Sequence, residues 1–167
     1  KNYLKSDELI SKAIEINPKN SEFYNFKGIA LIHINKFEEA IESWTKAIEI
    51  DPNSLDAYNN RGNALIKLKK NELALKNFDQ ALKLKPNFSQ AHHNRGVVLK
   101  NLNRFDIALE SVNKAIEINP KYVDAYNLKG VILKELNQIE DSLNNYDKAI
   151  ELNSNFAEAH LNRGNLL

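Results

Sequence analysis

The chain has 167 residues, of which 43% are hydrophobic and 27% are charged. Its 23 Lys and Arg nearly balance its 22 Asp and Glu, and this net charge of +1 argues against binding to nucleic acid or to an anionic membrane surface as the main function. No run approaches about 18 apolar residues, so no membrane insertion is expected, and the absence of cysteine excludes disulfides and thiolate sites.

Glycine and proline each recur at intervals of 34 residues. The glycines are Gly28, Gly62, Gly96, Gly130 and Gly164, and the prolines are Pro18, Pro52, Pro86 and Pro120. Because both residue types interrupt regular structure, this spacing indicates an internal repeat. We predict the second helix of a partial repeat, then four complete repeats, then the first helix of a truncated repeat. Their boundaries are 1–20, then 21–54, 55–88, 89–122 and 123–156, and finally 157–167.

Each repeat has the pattern of two helices. In the repeat 55–88, apolar residues recur at the spacing of one helix face over 55–68 and again over 72–84. The polar residues 69–71 separate the two segments, and Pro86 prevents the second helix from continuing. We therefore predict antiparallel helix pairs. Since one pair cannot bury its apolar face alone, neighbouring pairs are expected to stack into a solenoid.

Each glycine falls inside a predicted first helix, where it costs about 1 kcal/mol relative to alanine. A packing reason must offset this cost, so we expect the second helix to cross where a Cβ would collide. Small residues at two positions of the second helix fit such a crossing: Ala40, Ala74, Ala108, Ala47, Ala81, Ala115 and Ala149. Bulky residues between them would fill the remaining space, namely Trp44, Phe78 and Tyr146.

The pattern resembles that of the tetratricopeptide repeat family, which has the same period. In the second complete repeat its positions are Tyr58, Gly62, Leu65, Ala74, Phe78, Ala81 and Pro86. The departures are His92 and His160 for the first aromatic residue, Val112 for the second, Ser142 for an alanine and Ser154 for the last proline. The resemblance implies an all-α, right-handed superhelical solenoid of antiparallel helix pairs. It also implies that the first helices line a concave groove where partners bind.

Candidate partner-binding residues lie three residues before, two before or one after each glycine. They are Asn25, Ile29, Asn59, Asn60, Asn63, His93, Asn94, Val97, Asn127, Val131 and Asn162. An amide offers both a donor and an acceptor, which suits the backbone of an extended peptide. Specificity is then expected from Ile29, His93, Val97 and Val131. The alternative is that these asparagines are neutral, solvated helix surface.

Two members of the family help to choose between functions. Chaperone-binding members clamp a carboxylate with three cations, but Asn59, Asp124 and Leu128 stand at those positions here, so we reject that function. The asparagines two residues before the glycine position are similar to a ladder in the superhelix of O-linked N-acetylglucosamine transferase, which grips peptide backbones. They are Asn60, Asn94 and Asn162. If that likeness is functional, a transferase domain is expected outside this segment.

Charged residues and histidines are interpreted mainly as structural. The basic residue before each glycine is expected to pair with a nearby acid or reach solvent, rather than to form an anion track. The acids six residues before four of the glycines are Glu22, Asp56, Asp124 and Glu158; they suit the positive end of the helix dipole, the alternative being an acidic stripe that prefers basic ligands. His92 and His160 are interpreted as packing residues and His33 as a surface residue. We predict no catalysis, no metal and no cofactor.

The favoured interpretation is a non-catalytic protein–protein interaction scaffold that binds an extended or helical segment of a protein or peptide partner. One alternative is the substrate-recognition arm of a larger enzyme resembling a glycosyltransferase, and another is a self-assembling scaffold that forms homo-oligomers through uncapped repeat ends. Because the chain starts with Lys1 and has no Met, we expect a segment of a longer repeat array. A cytoplasmic location is favoured without the compartment being fixed, and the partner's identity is not encoded.

Overall fold

The computed structural model describes residues 3–167, so Lys1 and Asn2 of the partial repeat predicted at 1–20 lie outside the described residues. Over this range the chain forms ten α-helices and no strand. The helices are α1 (Tyr3–Ile16), α2 (Ser21–Ile32), α3 (Phe37–Ile50), α4 (Leu55–Lys67), α5 (Asn71–Leu84), α6 (Ser89–Asn101), α7 (Phe105–Ile118), α8 (Val123–Glu135), α9 (Ile139–Leu152) and α10 (Ala157–Gly164). We call the even-numbered helices first helices and the odd-numbered ones second helices.

The chain divides into two compact units, one ending at Pro86 and one starting at Asn87. In the first unit each helix of α1–α5 packs on the next, and the first helices α2 and α4 also touch. In the second unit the same holds for α6–α10, with α6 touching α8 and α8 touching α10. Within each unit, short turns join the successive helices, which makes neighbours antiparallel. The predicted fold class of antiparallel helix pairs is confirmed.

The glycines inside the first helices mark a close approach of the second helix. A Cβ on Gly28 would lie 2.5 Å from the Trp44 ring, and one on Gly62 would lie 2.7 Å from the Phe78 ring. The other contacts of this kind are Gly96 with Val112 at 2.5 Å and Gly130 with Tyr146 at 2.5 Å. The predicted collision is thus confirmed at four glycines. At Gly164 no atom lies within 4 Å of the Cβ position.

The small residues of the second helices are buried at these crossings. Those with no exposed surface are Ala40, Ala47, Ala74, Ala81, Ala108, Ala115, Ala149 and Ser142. Ser142 stands where the other repeats have alanine, and its hydroxyl donates a 2.7 Å hydrogen bond to the carbonyl oxygen of Gly130. This bond satisfies the buried hydroxyl, so the departure from alanine leaves no unpaired polar group.

The turn from each first helix to its second helix contains a residue in the left-handed region. These residues and their φ angles are Asn35 (59°), Lys69 (57°), Asn103 (57°) and Asn137 (61°). At the first turn the N–H of Asn35 donates to Ile32 O at 3.0 Å, and the N–H of Lys36 donates to Leu31 O at 3.0 Å. This pair of bonds is the Schellman motif, and it recurs at the other three turns. The sequence predicted a polar break here but not this geometry.

The basic residues before the glycines hydrogen-bond across helices. Arg61 of α4 donates from Nε to Asn77 Oδ1 of α5 at 2.7 Å and from Nη1 to Thr45 Oγ1 of α3 at 3.1 Å. Three others also donate to a residue sixteen positions away: Lys27 to Ser11 at 3.1 Å, Arg95 to Ser111 at 2.6 Å and Arg163 to Asp147 at 2.5 Å. The expected acid is present at Arg163, whereas Arg61 and Lys27 bind neutral oxygens.

The side chain at the position of the first aromatic residue forms a hydrogen bond to the turn that precedes its helix. The Tyr24 hydroxyl donates to Pro18 O at 3.2 Å, and the Tyr126 hydroxyl donates to Pro120 O at 3.4 Å. His160 occupies the same slot, and its Nε2 lies 2.9 Å from Ser154 O. Its Nε2–H therefore replaces the tyrosine hydroxyl, but His160 is exposed, so it holds the turn and does not fill the core as the packing interpretation expected.

Substituting alanine at two of the glycines tests the close approach. Gly62→Ala is expected to lower the free energy of unfolding by about 1–2 kcal/mol, because the new Cβ would overlap the Phe78 ring. Gly164→Ala is the matched control: its Cβ meets nothing, so stability stays equal or rises by up to about 1 kcal/mol. Urea unfolding followed by far-UV circular dichroism measures both. Equal stability of Gly62→Ala and the wild type would show that the ring moves aside at no cost.

Replacing Lys69 tests the strain of the left-handed turn. Lys69→Gly is expected to raise the free energy of unfolding by up to about 1 kcal/mol, because glycine adopts a φ of 57° without Cβ repulsion. Lys76→Gly is the control, since Lys76 is exposed in the middle of α5, and there the same change should lower stability by about 1 kcal/mol. A thermal or urea transition that shifts down in both variants would contradict the expectation.

Candidate functional site

The first unit contains a cavity of about 240 Å³ beside the first helices α2 and α4, with α3 contributing to its wall. Its lining residues are Ile29, Ile32, His33, Phe37, Trp44, Asn60, Asn63, Ala64 and Lys67. Most of these side chains are apolar; the polar ones are His33, which follows α2, and Asn60, Asn63 and Lys67 of α4. Ile29, Asn60 and Asn63 belong to the predicted partner-binding set, so the structure brings these three together.

Trp44 of α3 is the largest side chain in the lining of this apolar cavity. Its ring packs against Gly28, where a side chain would collide with it, and only 2% of its surface is exposed. Its Nε1–H donates a 2.9 Å hydrogen bond to Asn25 Oδ1. Asn25 was predicted to contact a partner, but its amide oxygen is engaged inside the fold.

The residues at the C-terminal ends of α2 and α4 form one rim of the apolar cavity. Lys67 is the last residue of α4 and is exposed. His33 follows α2, and its ring stacks on Tyr3 of α1 with centroids 4.0 Å apart and an interplanar angle of 15°. His33 is exposed, as predicted, but it is held by an aromatic neighbour. This rim therefore combines one positive charge with an aromatic surface.

A second cavity, of about 360 Å³, lies at the N-terminal ends of the same two helices. Its lining residues are Ser21, Glu22, Asn25, Phe26, Asp51, Ser54, Leu55 and Asp56. Three carboxylates stand here, and Phe26 beside them is 52% exposed. Glu22 and Asp56 lie in the first turns of α2 and α4, where the helix dipole favours a negative charge. We call the surface formed by the two cavities the α2–α4 groove.

In the second unit, two of the predicted asparagines pair with each other. Asn162 of α10 donates from Nδ2 to Asn127 Oδ1 of α8 at 2.9 Å. Asn127 is 4% exposed, so its amide is placed to hold α8 against α10 rather than to meet a partner. Val97 and Val131, which were predicted to give specificity, lie on α6 and α8 and are partly exposed.

His93 lies in a partly buried environment on α6. Its Nδ1 is 3.2 Å from Asn94 Oδ1, and its ring is tilted by 35° against Tyr122 with centroids 5.0 Å apart. Desolvation by burial lowers the pKa of His93, and the hydrogen bond with Asn94 and the charges of Asp124 and Glu158 only partly oppose this. The ring is therefore neutral near pH 7.

Two predicted asparagines of the first unit lie outside the lining of the apolar cavity. Asn25 lines the second cavity, which holds the three carboxylates, and Asn59 lies partly buried on α4. Four residues that line the groove were not predicted as site residues, namely Phe26, Phe37, Trp44 and Lys67. Trp44 was recognised only as a core residue facing Gly28. The sequence does distinguish Trp44 from its equivalents, because it is the single Trp of the chain and stands where other repeats have Phe, Val or Tyr.

Residues 3–167 contain neither a metal-binding cluster nor a helix that could span a membrane. No group of three or more His, Cys, Asp or Glu in this range is placed to hold a metal ion. Within the same range no helix has the length and apolar character needed to cross a membrane.

Family models for the tetratricopeptide repeat match nearly all of the chain. A model described as TPR repeat matches residues 28–69 and 130–167. Two models described as tetratricopeptide repeat match 55–88 with 89–122, and 9–42 with 112–144. Together the matches cover residues 9–167 without a gap. No curated protein sequence matches the chain.

Several solved structures share this fold. MamA superposes with a TM-score of 0.85 at 24% identity, covering 94% of this chain and 92% of its own. PilF of Pseudomonas aeruginosa gives 0.87 at 21% identity, covering 99% and 75%. YrrB, described as a TPR protein with an unusual peptide-binding site, gives 0.79 at 26% identity, covering 96% and 82%. The similarity to MamA and PilF shows the fold alone.

The substitution His93→Asn tests whether burial of the neutral His93 ring makes folding stability depend on pH. In the unfolded chain its pKa returns to about 6.5, so below that pH the unfolded state binds more protons and folding stability falls. His93→Asn places the residue of the equivalent positions 25, 59 and 127 there and removes this titration. The loss of stability between about pH 7.5 and about pH 5 should be smaller in the variant than in the wild type, as measured by urea unfolding. Identical pH dependence of the two proteins would contradict the burial effect.

Proposed function

This chain belongs to the tetratricopeptide repeat family, and on that premise we propose that it is a non-catalytic interaction scaffold whose α2–α4 groove binds an extended segment of a partner protein. The observation that carries the proposal is the apolar cavity lined by Trp44, with two amides on its α4 side. An apolar surface with a few polar groups at its edge is typical of recognition sites.

The size of this cavity favours a side chain of a polymer over a free metabolite. Its volume of about 240 Å³ is below the roughly 300–1,000 Å³ of small-molecule sites. It is open to solvent on the side of α2 and α4, where Ile29 is 37% exposed. One aliphatic or aromatic side chain can enter from a peptide that lies across the two helices.

Two asparagines supply the groups that a peptide backbone needs. Asn60 and Asn63 are three residues apart on α4, so they lie on one face of the helix and line the same cavity. Each side chain has one oxygen acceptor and two N–H donors, which match the alternating groups of an extended backbone. The peptide-binding site described for YrrB, a protein of the same fold, supports this reading.

The predicted contacts outside the α2–α4 groove stay predictions, with one exception. The second unit holds Asn94, Val97, Val131 and Asn162, which we propose as partner contacts within that unit. Asn127 is removed from the proposed contacts, because it is buried and bound to Asn162.

The finer likeness of the asparagine ladder to the glycosyltransferase superhelix also remains a prediction. Of the ladder residues Asn60, Asn94 and Asn162, Asn60 alone lines the apolar cavity. Homo-oligomerisation through the repeat ends likewise stays a prediction, although Leu9 and Ile16 of α1 are more than half exposed.

A peptide-selection experiment tests the proposed function. The 167-residue chain is immobilised and panned against a library of random peptides, and the selected peptides are titrated against the fluorescence of the single Trp. Selected peptides are expected to change the emission of Trp44, because it lines the cavity. Asn60→Ala combined with Asn63→Ala should weaken binding about tenfold through the loss of two hydrogen bonds of about 0.5–1.5 kcal/mol each.

The control is Asn113→Ala combined with Asn144→Ala, which removes two exposed asparagines from the second helices α7 and α9. This variant should bind the selected peptides like the wild type. A failure to select any peptide, or equal affinity of the Asn60 and Asn63 variant, would overturn the proposal.

A further inference from the structure

The two ends of the α2–α4 groove carry opposite charge. At the N-terminal end stand Glu22, Asp51 and Asp56, and at the C-terminal end Lys67 lines the apolar cavity. Between them the α4 side presents the neutral amides Asn60 and Asn63. Because α3 runs antiparallel between α2 and α4, the two first helices point the same way, and each end of the groove is formed by like ends of helices.

The negative charge at Asp51 is not required by the fold. Its carboxylate accepts the N–H of Asn53 at 3.0 Å, but Asn119 makes the same turn at the equivalent position with an amide oxygen. Asp51 also caps the C-terminus of α3, where the helix dipole disfavours a negative charge. The turn therefore needs the oxygen of residue 51 but not its charge, which leaves that charge for a cationic ligand.

An aromatic ring adds to the preference of this end for a cation. Phe26 is 52% exposed and lines the same cavity as the three carboxylates. A Lys or Arg side chain can pair with a carboxylate and lie over such a ring at the same time. In the second unit the positions equivalent to Glu22, Asp51 and Phe26 hold Gln90, Asn119 and Asn94, so this combination belongs to the first unit.

Resting on the proposed function, we propose that the α2–α4 groove selects an extended protein segment of bipolar charge, with a basic side chain at the acidic end, an apolar side chain on Trp44 and an acidic side chain beside Lys67. From Asp56 to Asn63 the helix rises about 10 Å, and from Asp56 to Lys67 about 16 Å. At about 3.3 Å per extended residue, the apolar side chain lies about three residues from the basic one and the acidic side chain about five.

A matched set of peptides tests the bipolar pattern. The parent peptide is Ser-Lys-Ser-Ser-Leu-Ser-Glu-Ser with blocked termini, and Trp44 fluorescence at low salt reports its binding. Replacing Leu by Ser should weaken binding about tenfold or more. Replacing Lys and Glu by two Gln should weaken it about fivefold, and replacing both by Lys or both by Glu should give no better binding than the Gln peptide.

Variants of the protein locate the effect. Asp51→Asn keeps the turn oxygen and removes the charge, so it should weaken the Lys peptide about two- to fivefold and leave the Gln peptide unchanged. Asp106→Asn, an exposed acid on α7, is the control. Ile29→Ala should weaken binding only when the peptide carries Leu. Its control is Ile107→Ala, which alters an aliphatic side chain of similar exposure (43% against 37%) on a second helix.

The outcomes separate this inference from the proposed function. If replacing Leu weakens binding but the parent peptide binds no more tightly than the peptide with two Gln, bipolar recognition is overturned and the scaffold function stands. Tighter binding of the peptide with two Lys than of the parent also overturns it, because Lys67 would then repel nothing. If neither these peptides nor library peptides bind, the scaffold function itself fails.

Discussion

In each complete repeat the first helix packs against the second helix at a glycine. A ring or branched side chain sixteen residues later occupies the place where a Cβ would be. This steric contact holds the two helices close enough to bury the alanines at the crossing. It also sets where Trp44 stands, because the ring that covers Gly28 forms part of the cavity beside α2 and α4. The candidate site is therefore a by-product of the packing that makes the repeat.

The fold was predictable because its signals are local and steric. Glycine and proline restrict the backbone by themselves, so their 34-residue period indicated the helix pairs without any knowledge of contacts. The left-handed residue at the turn was not predicted, since Asn35 tolerates that region but Lys69 gives no such signal. The partners of Arg61 were missed for a different reason: Asn77 and Thr45 lie sixteen residues away on other helices, and only the packing brings them near.

Part of the lining of the α2–α4 groove was predictable from the sequence. The offsets from the glycine identified Ile29, Asn60 and Asn63 on the first helices, and these do line the apolar cavity. They could not show which amides the fold itself uses, because the bond between Asn127 and Asn162 depends on the distance between two helices. The wall supplied by Trp44 was missed because a residue of the second helix was assumed to serve only the core. Here one ring does both.

The hydrogen bond between Trp44 and Asn25 has a consequence for the energetics of recognition. The indole is held on one face by Gly28 and at its nitrogen by the amide oxygen, so its torsion angles are already fixed before any ligand arrives. A rotamer that is frozen in the free protein loses no side-chain entropy on complex formation, a saving of about 0.5–1.5 kcal/mol for a large side chain. The conformational cost of association then falls on the incoming chain, and stiffening that chain is the direct route to tighter binding.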